Sequence, residues 1–339
     1  MTKPTHSPTI RDVARLAKVS VATVSRYINN TVPLAEETGK RVQQAMDELR
    51  FRPHPIAQNL ATKRTNTLGL LLLDIGGSFY TPLLRGIEAV SSEAGFDLLI
   101  HSTRGSQAGL RPRRALTEHN TDGLLIFIDA LDNAELTRLN EIGFPVVLMH
   151  QSPPKGYDIP VVTIENQAGA CQIVDHLIEA HHRNRIAFLQ GPEDNEDSEA
   201  REKGYLQSLK KHNIPFDPSL VARGGFDAEG AYTAVKDMLD RKVSFDAIFT
   251  GDDDSAIGVY DAIKNAGLNV PSDVSVAGFD DSIFARLLSP SLTTVRSPIE
   301  NVGREAVAQL IRQIRGDATS PRTVLPTEMI LRQSCGCDR

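Results

Sequence analysis

Residues 9–30 read Thr9-Ile10-Arg11-Asp12-Val13-Ala14-Arg15-Leu16-Ala17-Lys18-Val19-Ser20-Val21-Ala22-Thr23-Val24-Ser25-Arg26-Tyr27-Ile28-Asn29-Asn30. Ile10, Val13, Ala14 and Ala17 recur at the i, i+3, i+4, i+7 spacing that lays an apolar stripe on one helix face. Thr9 is placed to cap that helix, and Ala17-Lys18-Val19 makes a compact connection. Ser20 can cap a second helix, whose inward face is Val24 and Ile28. Its outer face keeps Val21, Ala22, Thr23, Ser25, Arg26 and Asn29. Small and hydrogen-bonding groups on a first turn let it approach base edges and phosphates, and an Arg one turn later can fork onto the O6 and N7 of a guanine. Periodicity alone also suits a small two-helix core whose outer face is merely solvated.

The same stretch resembles the helix-turn-helix headpiece of the lactose-repressor (LacI/GalR) family, T-I-x-D-V-A-x-x-A-x-V-S-x-x-T-V-S-R-x-[IL]-N. Thr9, Ile10, Asp12, Val13, Ala14, Ala17, Val19, Ser20, Thr23, Val24, Ser25, Arg26 and Asn30 fall into that pattern without a gap. Tyr27 departs from it, with a phenol where an aliphatic residue is usual. The resemblance implies a DNA-binding regulator that meets double-stranded operator DNA through Thr9, Ser20, Val21, Ala22, Thr23, Ser25, Arg26 and Asn29.

A chain of 339 residues suits two or three domains. With 40% apolar and 24% charged residues its composition is that of an ordinary soluble protein. No segment approaches eighteen uninterrupted apolar residues and the first residues are polar, so neither export nor a membrane partner is expected. Three cysteines, Cys171, Cys335 and Cys337, are too few for a disulfide framework and lack zinc-ligand spacing, which points to a reducing cytoplasm. The Cys335-Gly336-Cys337 tail could oxidise or bind a soft metal, but a frayed terminus is the expectation, with no metal and no cofactor. Charge is asymmetric: residues 1–66 hold 11 Lys or Arg against 5 Asp or Glu, and the remainder 26 against 38. A basic head on an acidic body touches a polyanion with one end only.

Residues 1–8 read as a disordered tail and 9–52 as the headpiece, closed by a third helix from Ala35 to Leu49 with Val42, Ala45, Met46 and Leu49 as its stripe. Residues 53–66 by themselves read as a linker. Their Phe51-Arg52-Pro53-His54-Pro55-Ile56-Ala57-Gln58-Asn59-Leu60 context resembles the family's hinge helix, which implies a minor-groove contact by Ala57 and a wedge by Leu60.

From Leu68 the rhythm becomes an α/β alternation. Apolar runs lie at 68–73, 97–100, 124–128, 146–149, 186–189, 247–249 and 274–277, with helical patterns at 80–94, 134–142, 168–179, 199–211, 228–239 and 255–266. A break at Ser152 to Gly156 suggests two sheets. No G-x-G-x-x-G follows the first strand, and no phosphate loop, nucleophile elbow or H-E-x-x-H occurs, so an enzyme fused to a DNA-binding head is disfavoured.

Family-like blocks continue to Arg296, among them Gly278-Phe279-Asp280-Asp281 and Leu292-Thr293-Thr294-Val295-Arg296. They imply a periplasmic-binding-protein-like pair of parallel α/β subdomains, 67–164 with 297–326 and 165–296 with 327–339. They also imply a homodimer and an effector in the cleft. The positions aligned with ligand contacts are Phe79, Tyr80, His150, Arg201, Phe226, Asp252 and Asp280, where His150 and Asp252 replace a more usual Asp and Asn. Aromatic faces with carboxylates and an Arg suit a neutral polyol, most simply a sugar. A purine or nucleoside, or a protein co-regulator, is the alternative. A tetramer is not expected, since the residues after Arg332 hold no heptads.

Overall fold

Three short helices pack around the sequence-predicted stripe: α1 (Ile10–Ala17), α2 (Val21–Asn29) and α3 (Glu36–Leu49). Thr9 and Asp12 close the start of α1, with the Thr9 backbone N–H and hydroxyl donating to Asp12 Oδ2 at 3.0 and 2.7 Å. Lys18 ends α1 in the left-handed conformation. Ser20 caps α2 by accepting from the Thr23 N–H at 3.0 Å. Val13, Ala14, Ala17, Val24, Val42 and Ala45 are buried, a core so small that the unit is marginal by itself. Tyr27 is accommodated by α3. Its hydroxyl donates to Gln43 Oε1 at 3.0 Å, and its ring covers Gly39, where a Cβ would lie 3.3 Å from the ring.

The computed structural model describes residues 8–29, 33–52, 64–103, 116, 118–128 and 130–338. The chain divides into two compact units, Met1–Thr65 and Asn66–Arg339. The expected tail, apart from residue 8, and the hinge contacts Ala57 and Leu60 lie outside the described residues.

The larger unit holds two parallel sheets. The first has the order β11-β5-β4-β3-β1-β2. Its strands are β1 (Thr67–Leu72), β2 (Asp97–Ser102), β3 (Gly123–Phe127), β4 (Val146–Met149), β5 (Val161–Ile164) and β11 (Arg322–Leu325). Around it lie α4 (Tyr80–Glu93), α5 (Asn133–Glu141) and α11 (Ile299–Arg315). The second sheet runs β7-β6-β8-β9, built from β6 (Ile186–Gln190), β7 (Val221–Arg223), β8 (Ala247–Thr250) and β9 (Ser275–Ala277). Its helices are α6 (Asn166–His181), α7 (Glu196–Lys211), α8 (Ala228–Asp240), α9 (Asp253–Asn265) and the short α10 (Ile283–Leu287). An antiparallel ribbon of β10 (Thr294–Arg296) and β12 (Glu328–Ile330) completes it. Leu68, Leu70, Leu71 and Leu72 of β1 are all buried, as a parallel strand covered on both faces requires.

The chain passes between the sheets three times, after β5, after β10 and after β11. Two of these crossings touch: the Glu165 N–H donates to the Leu325 carbonyl at 3.0 Å, and the Thr327 hydroxyl reaches the Glu165 carbonyl at 3.5 Å.

Two expectations need correction, and one helix was not foreseen. The break at Ser152 to Gly156 does not divide the sheets, because β5 beyond it still pairs with β4 and β11 of the first sheet. A helix absent from the expected set, α11, packs on α4. Its mid-helix Gly303 weakens the local signal, but a Cβ there would meet the Leu83 carbonyl at 2.5 Å, and one at Gly86 the Glu300 carbonyl at 2.0 Å. Those two glycines set the close approach of the helices. Finally, the Cys335-Gly336-Cys337 tail is not frayed: Cys335 is fully buried in a short 3-10 turn, Gln333–Cys335.

Candidate functional site: an exposed helix and a cleft between two sheets

On the headpiece, Thr9, Ser20, Val21, Ala22 and Arg26 are exposed, and Thr23, Ser25 and Asn29 half-buried. All but Thr9 lie on α2 or its cap, so the structure gathers them on one helix. Ser20 and Thr23 share a hydrogen bond at 2.8 Å, and the Asn29 amide donates to the Ser25 hydroxyl at 3.3 Å. Val21 leaves 42% of its surface in solvent, and among the described residues Arg26 has no ion-pair partner. A helix with an apolar contact at its start, hydroxyls in the first turn and an uncommitted guanidinium one turn on can meet methyl groups, phosphates and a guanine edge together.

In the larger unit, turns beyond the carboxyl ends of the strands face each other across the two sheets, where open α/β sheets bind ligands. Phe79 and Tyr80 follow β1, His150 follows β4, and Arg201 lies on α7. Phe226 precedes α8, Asp252 follows β8, and Asp280 follows β9. Phe79 meets Tyr80, Phe127 and His150 edge-on, with ring centroids 5.6, 5.6 and 6.1 Å apart. His150, Phe226 and Asp280 have φ of 62°, 60° and 107°, a region that side-chain-bearing residues rarely occupy. Positive φ also occurs at helix ends here, as at the exposed Lys18, Arg50 and His182, so it is the buried or half-buried setting of these side chains in the cleft that sets them apart.

A ladder of hydrogen bonds and ion pairs starts at His150 on the first sheet's wall and continues along the second sheet's wall. His150 Nδ1 meets Asp197 Oδ2 at 2.7 Å, and the Asn166 amide donates to Asp197 Oδ1 at 2.7 Å. Arg201 Nε donates to Asn166 Oδ1 at 2.9 Å, while its Nη2 lies 3.5 Å from Asp280 Oδ1. The Ser297 hydroxyl also donates to Asp280 Oδ1, at 2.9 Å. The Arg201 guanidinium lies 3.9 Å from the Phe279 ring centroid and 5.4 Å from that of Phe226. A second bridge links Ser78, after β1, to Asp254 Oδ1 at 2.8 Å. The His150 Nε2 is buried and has no hydrogen-bond partner.

Burial governs the acids. It opposes ionisation of Asp197, but the charge and hydrogen bond of His150, then Arg201 and Asn166, outweigh it and hold this carboxyl below its ordinary range. Burial drives Asp280 upward, only partly offset by Arg201 and Ser297. Asp253, buried and facing Asp280, is pushed well above its ordinary value. Asp252 is pushed up to about 7 by burial, with the charges of Asp280 and Asp254 adding to it, although it caps α9 by accepting from the Ser255 N–H at 3.1 Å. Asp281, beside Asp280, points elsewhere, to Arg296 at 2.8 Å and Arg332 at 2.5 Å, so the two carboxylates do not form a catalytic pair.

A cavity of about 780 Å³ opens beside this ladder, lined by His150, Asn166 and Asp197 with Thr163, Glu196 and Arg322. It touches none of the other six expected contacts and has no Phe or Tyr wall. The expected contacts other than His150 therefore lie outside the lining of that cavity.

Residues 9–54 match the family described as bacterial regulatory proteins, lacI family, and residues 174–335 match a periplasmic binding protein-like domain. The chain is 33% identical to the HTH-type transcriptional regulator RegA of Clostridium saccharobutylicum over 328 residues, covering 96% of this chain and 98% of that one. The chain belongs to the lacI family of bacterial regulatory proteins. Among solved structures, a CelR–cellobiose complex aligns with TM-score 0.71 and 31% identity, over 96% of this chain and 99% of that one. The lac repressor dimer bound to operator aligns with TM-score 0.82 over 97% and 99%, and at 23% identity shows the fold alone.

This lacI-family protein is therefore a DNA-binding transcription regulator. Sequence reasoning missed Asn166, Asp197 and Phe127 in its cleft. Asp197 lies four residues before Arg201, hence on the same helix face, and that spacing was the available signal. Among the described residues, no helix of the regulator is long and apolar enough to cross a membrane.

Proposed function

We propose that this regulator represses transcription from a palindromic operator as a cytoplasmic homodimer without catalytic activity, and that a neutral polyhydroxylated molecule, most simply a sugar, switches it. Ser20, Val21, Ala22, Thr23, Ser25, Arg26 and Asn29 read bases and phosphates, and Thr9 meets a phosphate. Ala57 and Leu60 enter the minor groove. Exposed Ile283, Phe284 and Leu287 on α10 supply apolar surface suited to a second copy. The effector lies between Phe79, Tyr80 and His150 on one side and Arg201, Phe226, Asp252 and Asp280 on the other. A cellobiose-bound relative supports the sugar class.

The observation that carries this reading is His150. Its Nδ1 is committed to Asp197, its strained backbone aims it inward, and its buried Nε2 awaits a partner that a ligand hydroxyl can provide. A thermal-shift screen of mono- and disaccharides and nucleosides, with product analysis, tests it. One sugar is expected to raise the melting temperature without being turned over, and Asp280→Ala to respond only at roughly tenfold or higher concentration. Stabilisation by nucleosides alone, or turnover, overturns the proposal. Linkage adds a second check: calorimetric affinity for that sugar differs with and without operator by the factor by which the sugar changes operator affinity.

A further inference from the structure

The carboxyl-terminal tail gathers chemistry that neither the headpiece nor the cleft uses. His176 and His181 sit on the last turns of α6 with their Nε2 atoms 3.2 Å apart. The tail brings Cys337 Sγ to 3.6 Å from His176 Nε2 and 3.5 Å from His181 Nε2. With Cys335 Sγ, the four ligand atoms all lie within 4.8 Å of one another. In a tetrahedral zinc site, bond lengths of about 2.05 Å to nitrogen and about 2.3 Å to sulfur place ligand atoms about 3.3 Å apart for N···N and about 3.6 Å for N···S. The three observed separations are those edges.

The frame around the cluster is held independently of any ion. The Ser334 hydroxyl accepts from the Thr293 N–H at 2.8 Å and donates to the Val276 carbonyl at 2.6 Å. The Ser275 hydroxyl donates to the Cys335 carbonyl at 2.9 Å. Gly336 reverses the chain between the two thiols at φ 111°, with its backbone so close to His181 that a Cβ would lie 3.0 Å from Nδ1. Only glycine fits both demands. The Thr293 hydroxyl donates to Cys335 Sγ at 3.1 Å, an outer hydrogen bond of the kind that steadies a coordinated thiolate. A neighbouring group, Asp175, Glu179 and His212, offers no such site, because the Lys211 ammonium already lies 2.7 Å from Asp175 and 3.2 Å from Glu179.

We propose that His176, His181, Cys335 and Cys337 bind one zinc ion, which fastens the carboxyl-terminal tail to α6 of the second subdomain. Two imidazoles and two thiols at tetrahedral spacing select a borderline-soft divalent cation over magnesium or calcium. On binding, each thiol forms a metal–sulfur bond and releases its proton to solvent, with no change of oxidation state.

The test uses the full-length, tag-free chain purified under reducing conditions without chelator, then given zinc chloride and dialysed. Elemental analysis is expected to find about one zinc per chain. Cys337→Ser and His181→Gln are each expected to lose it while keeping a wild-type circular dichroism spectrum, and Cys171→Ser to keep it. Cobalt chloride added to metal-free protein is expected to give the strong visible bands of a tetrahedral site with thiolate charge transfer, absent in Cys337→Ser. Chelator is expected to lower the melting temperature of the wild type and leave that of Cys337→Ser unchanged. Zinc retained equally by Cys337→Ser, wild-type protein that holds none after dialysis, or a Cys335–Cys337 disulfide in its place overturns the proposal.

Discussion

Arg26 on α2 and Arg201 in the cleft are the same side chain put to opposite uses. Arg26 is exposed and has no ion-pair partner among the described residues, so its donors await a partner from outside. Arg201 is 2% exposed and bonded to Asn166 and the Gly251 carbonyl, with Asp280 and two aromatic rings around it. The exposed face of α2 is thus open to an outside partner, which in the proposed function is operator DNA. The cleft is nearly complete without one, with His150 Nε2 as its conspicuous opening. In that proposed role, an exposed side chain adds affinity on contact. A self-bonded cleft instead converts ligand binding into a choice between arrangements of its two walls.

The contrast breaks most visibly at Arg201. Arg201→Ala strips a buried acid of its counter-charge, and about 3–5 kcal/mol of body stability is expected to go with it in a urea melt followed by circular dichroism. Arg26→Ala should leave that melt unmoved. Its effect belongs on DNA, with a loss of about 1–3 kcal/mol on the specific operator and much less on random sequence, measured by anisotropy. Equal losses on both DNAs would reduce Arg26 to a phosphate contact.

The third test uses pH. With its pKa raised to about 7, folded Asp252 keeps a proton that the unfolded chain has already released near its ordinary value. The folded state therefore binds more protons, and this residue's contribution to stability falls as pH rises from about 4 to about 7, then levels. Asp252→Asn keeps a capping oxygen but cannot ionise. Its stability relative to wild type should improve across that window, by on the order of 1–2 kcal/mol at pH 7.5. A constant difference between paired melts from pH 5 to 8 would sink this assignment. Smallest of all is Tyr27→Phe, which loses one exposed hydrogen bond to Gln43, keeps the ring over Gly39, and should cost about 0.5 kcal/mol in headpiece melting.

What could be read from the chain divides along a similar line. The helices of the headpiece and most βα units show in sequence because i, i+3, i+4 stripes and apolar runs are local. Gly39, the partner that makes room for Tyr27, lies on another helix, so that pairing was not legible. In sequence the cleft acids stand in the runs Asp252-Asp253-Asp254 and Asp280-Asp281, but nothing local tells that Asp280 faces Arg201 while Asp281 faces Arg296 and Arg332. Asp197 needed His150, from the other sheet, before its helical spacing to Arg201 meant anything. The tail was least legible, since its cysteines meet histidines some 160 residues earlier, a closeness that only the fold creates.

The three strand crossings carry a consequence for how many ways the body can move. One connection would leave the two sheets able to bend and twist freely; three side by side, with Glu165 tied to Leu325 and Thr327, leave little besides rotation about a single line. A ligand that bridges the walls would then act chiefly along that one path. Effectors of different size should differ in how far they drive the motion rather than in which motion they drive, so agonism and antagonism become positions on one scale.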